Sequence, residues 1–343
     1  MSEIPSFERF DYILRTNKHI ERKLIFDVLH SALKKLELQY WYLGFGSMWF
    51  GDFRLAHKLL AVQDMLSIEH TEYAARANFN KPFSSVTVAA GECGEILVDI
   101  PAEKWNKPVI AWLDYDKELS PERVSDLDLL LANAAPNSVV VATFNGARGT
   151  YRVRKPGGAV TREETAVGVV ESFLGRASTP ARFEPVLNAA GVPQDAKEID
   201  FPEFLAVALI TYMQHKVARE AREAAGEALV FVPLYLLCHK DGADMVTVGG
   251  ALALESQASI WKSCVSDHPI LADSDGNATY CKMDVIPVTL KEKISLDMCL
   301  PIPEEAEGFI ALAKELGLKL SDDEMRKYKR FHRHFPLFIE TSI

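Results

Sequence analysis

The chain contains two runs whose residue types and spacing could do chemistry. The first is Gly44-Phe45-Gly46-Ser47, followed further on by Glu69. Glycines let a backbone approach a ligand closely and take turn conformations that other residues resist. An acid about 20 residues beyond such a loop accepts hydrogen bonds from ribose hydroxyls and rejects a 2′-phosphate, which disfavours NADP. Gly91-Glu92-Cys93-Gly94 would then supply, through Glu92 and Cys93, contacts on the adenine side. The second run is Trp112-Leu113-Asp114-Tyr115-Asp116, two carboxylates flanking an aromatic ring. Either carboxylate could act as a general base on a substrate hydroxyl or amine. Alternatively, Asp114 and Asp116 could join Asn145 as oxygen ligands of Mg²⁺. Each motif has a plainer reading: an ordinary tight turn for Gly-x-Gly, a solvated strand end for Glu69, a polar loop for Gly91-Glu92-Cys93-Gly94, a cap for Asp114 and a solvated carboxylate for Asp116. A third glycine of the loop would fall at position 48, which is Met48. His57 fits a structural place on a helix face, and His239 a solvated hairpin turn.

These residues need strands and helices to position them. Ile20, Leu24, Ile25, Val28, Leu29, Ala32 and Leu36 recur at helical spacing and predict an amphipathic helix over 20–36. Apolar runs predict strands at 40–45, 65–69, 85–90, 109–113 and 138–144. The first ends at the glycine loop, the second at Glu69, the fourth at Asp114. Helices are expected from Asp52, as N-cap, to Leu60, over 72–78, and from Pro121 to Asn133. This alternation means βαβ units and a parallel sheet with both faces covered, wound right-handedly. Residues 147–200, rich in Gly, Pro, Arg and Ala, read as an insertion, followed by a long helix over 202–225. Two more apolar runs, 229–238 and 245–254, flank Asp241-Gly242, a strong hairpin signal. A parallel sheet that closes in an antiparallel hairpin is the layout of methyltransferase-type Rossmann folds. One further helix is expected over 304–316.

Composition narrows the class. With 343 residues and 48% hydrophobic content, the chain can bury a real core in one large domain or two modest ones. No apolar run reaches the ~18 residues of a membrane span. The start lacks the layout of a secretory signal. Five scattered cysteines without a CxxC spacing argue against a disulfide framework or zinc ribbon and for a reducing cytoplasm. A net charge of −10 excludes nucleic-acid binding over the whole surface. Local basic groups remain as solvated or partner-facing patches: Arg148, Arg152, Arg154 and Lys155, and Lys327, Lys329, Arg330, His332, Arg333 and His334.

The runs Asp11-Tyr12-x-Leu14-Arg15, Ile20-Glu21-Arg22-Lys23, Tyr42 through Ser47, Phe50-x-Asp52-Phe53, Ser67-Ile68-Glu69, Asn80-Lys81-Pro82-Phe83, Trp112 through Asp116, Asp241-Gly242 through Gly249-Gly250, and Phe335-Pro336-x-Phe338 resemble a bacterial O-methyltransferase family. That family is similar to class I S-adenosylmethionine-dependent methyltransferases and is often found beside phage-defence genes. The resemblance implies that Gly44, Gly46 and Glu69 occupy S-adenosylmethionine positions and Asp114 the catalytic-loop position. The chain lacks the Pro-Pro-Tyr that amino-group methyltransferases place after the strand-four acid, which argues against base N-methylation.

The expected molecule is an α/β protein with a Rossmann-like methyltransferase sheet, seven-stranded and mostly parallel, with an antiparallel terminal hairpin and helices on both faces. Its expected parts are a helical lead (1–36), a methyltransferase-like domain (37–255, with 147–200 inserted) and a C-terminal extension (256–343). The expected activity is methyl transfer from S-adenosylmethionine to an oxygen, with Mg²⁺ as an optional helper. Asp114 and Asp116 are the catalytic candidates; Gly44, Phe45, Gly46, Ser47, Glu69, Glu92 and Cys93 are the cofactor candidates. The alternatives are a nucleotide-sensing or interaction subunit of a defence complex, and an NAD-dependent oxidoreductase.

Overall fold

A computed structural model describes residues 15–151, 161–189, 191–195, 199–301 and 306–336. Asp11, Tyr12, Leu14, Arg152, Arg154, Lys155 and Phe338 lie outside the described residues. The elements, in chain order, are α1 (Thr16–Leu36), β1 (Trp41–Gly44), α2 (Gly51–Leu60), β2 (Met65–Glu69), α3 (Thr71–Asn80), β3 (Val86–Ala90), α4 (Cys93–Asp99), β4 (Val109–Asp114), α5 (Pro121–Asn133) and β5 (Ser138–Asn145). Then come α6 (Ala166–Leu174), a small hairpin of β6 (Val186–Leu187) and β7 (Pro193–Gln194), and α7 (Phe201–Glu220). The chain continues with β8 (Glu223–Ala224), β9 (Glu227–Asp241), β10 (Ala243–Leu254), α8 (Ala258–Ser266), β11 (Tyr280–Met283), α9 (Leu290–Met298), α10 (Ala306–Glu315) and α11 (Asp322–Phe331).

The main sheet has nine strands rather than the seven expected, in the order β11-β9-β10-β5-β4-β1-β2-β3 with the short β8 paired to β9, while β6 and β7 pair separately. β1 to β5 pair in parallel, and β10 runs antiparallel to both β5 and β9. This is the Rossmann-like methyltransferase sheet expected from the sequence, mostly parallel with its reversed hairpin. β11, which the sequence reading did not foresee, adds a parallel edge strand beside β9.

Strand alternation divides the core in two. Tyr42, Ile110, Trp112, Val139 and Val141 face a cluster formed with α1, α2, α8 and the C-terminal helices. Trp41, Leu43, Ala111, Leu113, Val140 and Ala142 face a second cluster formed with α5, α6 and α7. Side chains two residues apart share a face of a strand, so both faces must be apolar, and the strands read as continuous apolar runs. α5 starts as its residues dictate: Ser120 accepts a hydrogen bond from the Arg123 amide at 3.5 Å, and Pro121 opens the first turn. His57 is structural, its Nδ1 lying 2.9 Å from the Val62 carbonyl and its ring against Phe83.

Three expectations are corrected. Asp52 is not an N-cap: α2 starts at Gly51 after Phe50 in a left-handed conformation, and Asp52 is buried in the first turn. Cys93 and Gly94 belong to a helix rather than a loop. His239 is not in a turn: β9 runs on to Asp241, and His239 is 2% exposed. The long hairpin carries a register shift at Gly249/Gly250, where the backbones crowd. A Cβ on Gly250 would lie 2.4 Å from the Val232 carbonyl oxygen and 2.6 Å from the Phe231 ring. Gly250→Ala is therefore expected to lower unfolding stability by about 1–3 kcal/mol. Urea denaturation checks this, and an unchanged midpoint contradicts it.

Candidate active site

Because β1, β2, β4 and β5 are parallel, their carboxyl ends share one edge of the sheet, and with them Gly44, Glu69, Asp114 and Asn145. β1 sits between β2 and β4, so the chain winds away from it in both directions. Such a reversal of strand order opens a crevice in which α/β proteins bind ligands.

The glycine loop is braced from below. The Gly46 amide donates to Ser67 Oγ at 2.9 Å, and the Ser47 amide donates to Glu69 Oε1 at 2.8 Å. The Ser67 hydroxyl also donates to Glu69 Oε1, at 2.7 Å. Glu69 is nearly buried, and burial raises its carboxyl above the ordinary range against the opposing pull of these bonds. The glycines answer to the protein's own packing as well as to any ligand. A Cβ on Gly46 would fall 2.3 Å from the Phe50 ring, and one on Gly44 2.9 Å from the Trp112 carbonyl oxygen. The structure therefore brings Gly44, Phe45, Gly46, Ser47 and Glu69 together and gives Glu69 a supporting task that spacing alone does not reveal.

An aromatic wall stands beside the loop. Phe45 meets Tyr115 edge-on at 5.1 Å, and Tyr115 stacks on Phe144 at 5.4 Å. The Tyr115 hydroxyl donates to Asp126 Oδ2 at 2.5 Å. Cys93 lies against the same pair, where burial, with Asp126 adding to it, pushes its thiol up and keeps it protonated. Glu92 is exposed, with Oε1 3.2 Å from His70 Nδ1. Sequence reasoning missed Tyr115 and Asp126, although Tyr115 sits between the two aspartates that drew attention.

The largest omission concerns α1. Its first turns carry Lys18, Glu21 and Arg22 inward, with 4%, 0% and 9% exposure. Lys18 Nζ lies 2.7 Å from Asp114 Oδ1 and 2.8 Å from Glu21 Oε2, over the Trp112 ring. Glu21 Oε1 is 3.3 Å from His239 Nδ1 and accepts a bond from the Thr247 hydroxyl. Thr247 reaches Thr143 at 2.8 Å, and Trp112 Nε1 donates to Thr143 Oγ1 at 3.1 Å. Alongside, the Tyr42 hydroxyl donates to Asp52 Oδ2 at 2.5 Å, and Arg22 lies close to Gly51. Burial would lower the Lys18 pKa, but Asp114 and Glu21 reverse that and hold the ammonium charged. Burial would likewise raise Glu21, but Lys18 and His239 hold its carboxyl far below the usual range.

The residues expected to hold Mg²⁺ are placed as follows. Asp114 Oδ1 is taken by Lys18, the Asn145 side-chain oxygen accepts from the Ala147 amide at 2.8 Å, and Asp116 is exposed. Among the described residues, no group of three or more His, Cys, Asp or Glu side chains could hold a metal ion. The basic clusters are also partly spent within the protein. Lys327 pairs with Asp284 and Asp323, His334 with Asp27, and Arg148 donates to the Ile199 carbonyl.

The Glu69 brace yields a direct expectation. Glu69→Ala removes the acceptor of two bonds at one buried oxygen and should cost about 2–3 kcal/mol of stability without any ligand present. Glu69→Gln, which keeps an acceptor oxygen, should cost less. Equal stability of wild type and Glu69→Ala in urea would contradict the brace.

Among solved structures, the chain is similar to Trm1 from Pyrococcus horikoshii in complex with S-adenosyl-L-methionine, at 12% identity and a TM-score of 0.41, covering 93% of this chain and 79% of that one. It is also similar to an O-methyltransferase from Bacillus cereus in complex with SAH, at 16% identity and a TM-score of 0.33, covering 50% and 77%. A third is the O-methyltransferase TomG from Streptomyces achromogenes in complex with SAM, at 18% identity and a TM-score of 0.30, covering 49% and 76%. At these scores the neighbours speak to no residue or substrate of this chain. No curated protein matches it. A family model described as "Putative O-methyltransferase" matches residues 10–343, and the chain belongs to that family.

Proposed function

We propose that this protein transfers a methyl group from S-adenosylmethionine to an oxygen of an acceptor, in the crevice between the glycine loop and Asp114. The observation that carries this reading is the meeting, at the reversal of strand order, of a braced glycine loop with Glu69 and Asp114. The residues present fit the cofactor. Carboxylates line the edge where a sulfonium cation would be held, and Phe45, half-buried against Tyr115, offers an aromatic ring to a purine. Glu69 commits Oε1 to the loop, which leaves Oε2 for a ribose hydroxyl. S-adenosylmethionine supplies both the methyl group and its leaving group. The protein's contribution is then mainly orientation of the two reactants, which can account for about 7–11 kcal/mol of a barrier. Asp114, with Oδ1 fixed by Lys18, presents Oδ2 to orient the acceptor's hydroxyl. Residues 37–255 would carry the transfer, with the helical lead supplying Lys18 and Glu21.

Among the described residues no helix is long and apolar enough to cross a membrane. All five cysteines are unpaired thiols, which suits a cytoplasmic setting. Calorimetry with S-adenosylmethionine, S-adenosylhomocysteine and NAD tests the cofactor. The first two are expected to bind with Kd on the order of 1–100 μM and NAD to give no saturable heat. Binding of NAD alone would overturn the proposal. Tight binding without methylation of any hydroxyl compound in host extracts would put the nucleotide-sensing reading in its place.

A further inference from the structure

The acceptor side of this crevice already contains a cation. Lys18 Nζ stands 2.7 Å from Asp114 Oδ1 and 2.8 Å from Glu21 Oε2, so two carboxylates from different elements bracket one ammonium. Two carboxylates converging on a small buried space are also what a hard divalent ion needs for its first ligands. We propose that Lys18 is the built-in cation of the site: it fills, from the helical lead, the position between Asp114 and Glu21 that a divalent ion would otherwise take, and makes the site metal-independent. This rests on the crevice being the methyl-transfer site.

The geometry supports the assignment in three ways. The side chain is 4% exposed, so the ammonium has lost almost all its water and depends on the two carboxylates for compensation. The Trp112 ring 5.1 Å away adds a favourable aromatic face. Glu21 is itself fixed by the Thr247 hydroxyl and by His239, so the bracket is rigid on the side away from Asp114. A divalent ion brought to Asp114 would sit beside this ammonium and be repelled by it at short range. Lys18 acts through Asp114: it is a positioning residue, holding one carboxylate oxygen so that the other keeps a fixed direction.

The test is calorimetric titration of the 343-residue chain with MgCl₂ alone, after EDTA treatment. Wild type and Lys18→Arg, which keeps the charge, are expected to show no saturable binding. Lys18→Met is expected to gain saturable Mg²⁺ binding, which is lost again in Lys18→Met/Asp114→Asn. Saturable Mg²⁺ binding by wild type that disappears in Asp114→Asn would overturn the proposal, and so would a folded Lys18→Met that binds no Mg²⁺. If Lys18→Met does not fold, the wild-type and Lys18→Arg titrations decide. A second arm compares affinity for S-adenosylmethionine with EDTA or with Mg²⁺, expected to agree within about twofold. Lack of any S-adenosylmethionine binding would count against the cofactor reading and leave the Mg²⁺ arm standing.

Discussion

The buried ammonium of Lys18, held between Glu21 on its own helix and Asp114 at the end of β4, joins two parts of the molecule that are far apart in sequence. Glu21 extends the connection to His239 and Thr247 on the terminal hairpin, and Thr247 extends it to Thr143 and Trp112 in the central strands. Desolvating charges is expensive, and removing one member of such a buried group typically costs about 3–5 kcal/mol because its partners stay buried. Once α1 is docked, each charge in this group is committed to the others. That commitment fixes where the helix begins relative to the sheet edge, and so fixes one wall of the crevice.

The glycine loop is likewise held by the protein's own contacts. Glu69 turns one oxygen to the glycine loop and accepts from both the Ser47 amide and the Ser67 hydroxyl. Phe50, in a left-handed conformation, lays its ring where a side chain on Gly46 would be. Both α1 and the loop are therefore set in place by the protein itself. A site preorganised in this way spends little of a ligand's binding energy on ordering the loop.

Much of the fold was legible because its signals are local. The apolar runs at 65–69, 109–113 and 138–144 became β2, β4 and β5 almost residue for residue, and Asp241-Gly242 marked the hairpin that reverses the sheet. The polar interior was not legible. Lys18, Glu21 and Arg22 on a helix look like any solvated face until their partners are known, and Asp114 and His239 come from strands remote in the chain. His239 was read as solvated because the strand was expected to stop at Cys238, whereas pairing with β10 carries it to Asp241. Asp52 was read as a cap because its type fits one, but the Tyr42 hydroxyl draws it into the core. The run 112–116 likewise shows the carboxylate and hides the lysine that pairs with it.

A double-mutant cycle between Lys18→Met and Asp114→Asn, measured by urea unfolding, tests the central claim most directly. If the ammonium and this carboxylate form the bond that seats α1 on the sheet edge, the two substitutions will be non-additive by about 1–3 kcal/mol. Additivity within about 0.5 kcal/mol would mean that the two groups do not depend on one another, and would contradict the account.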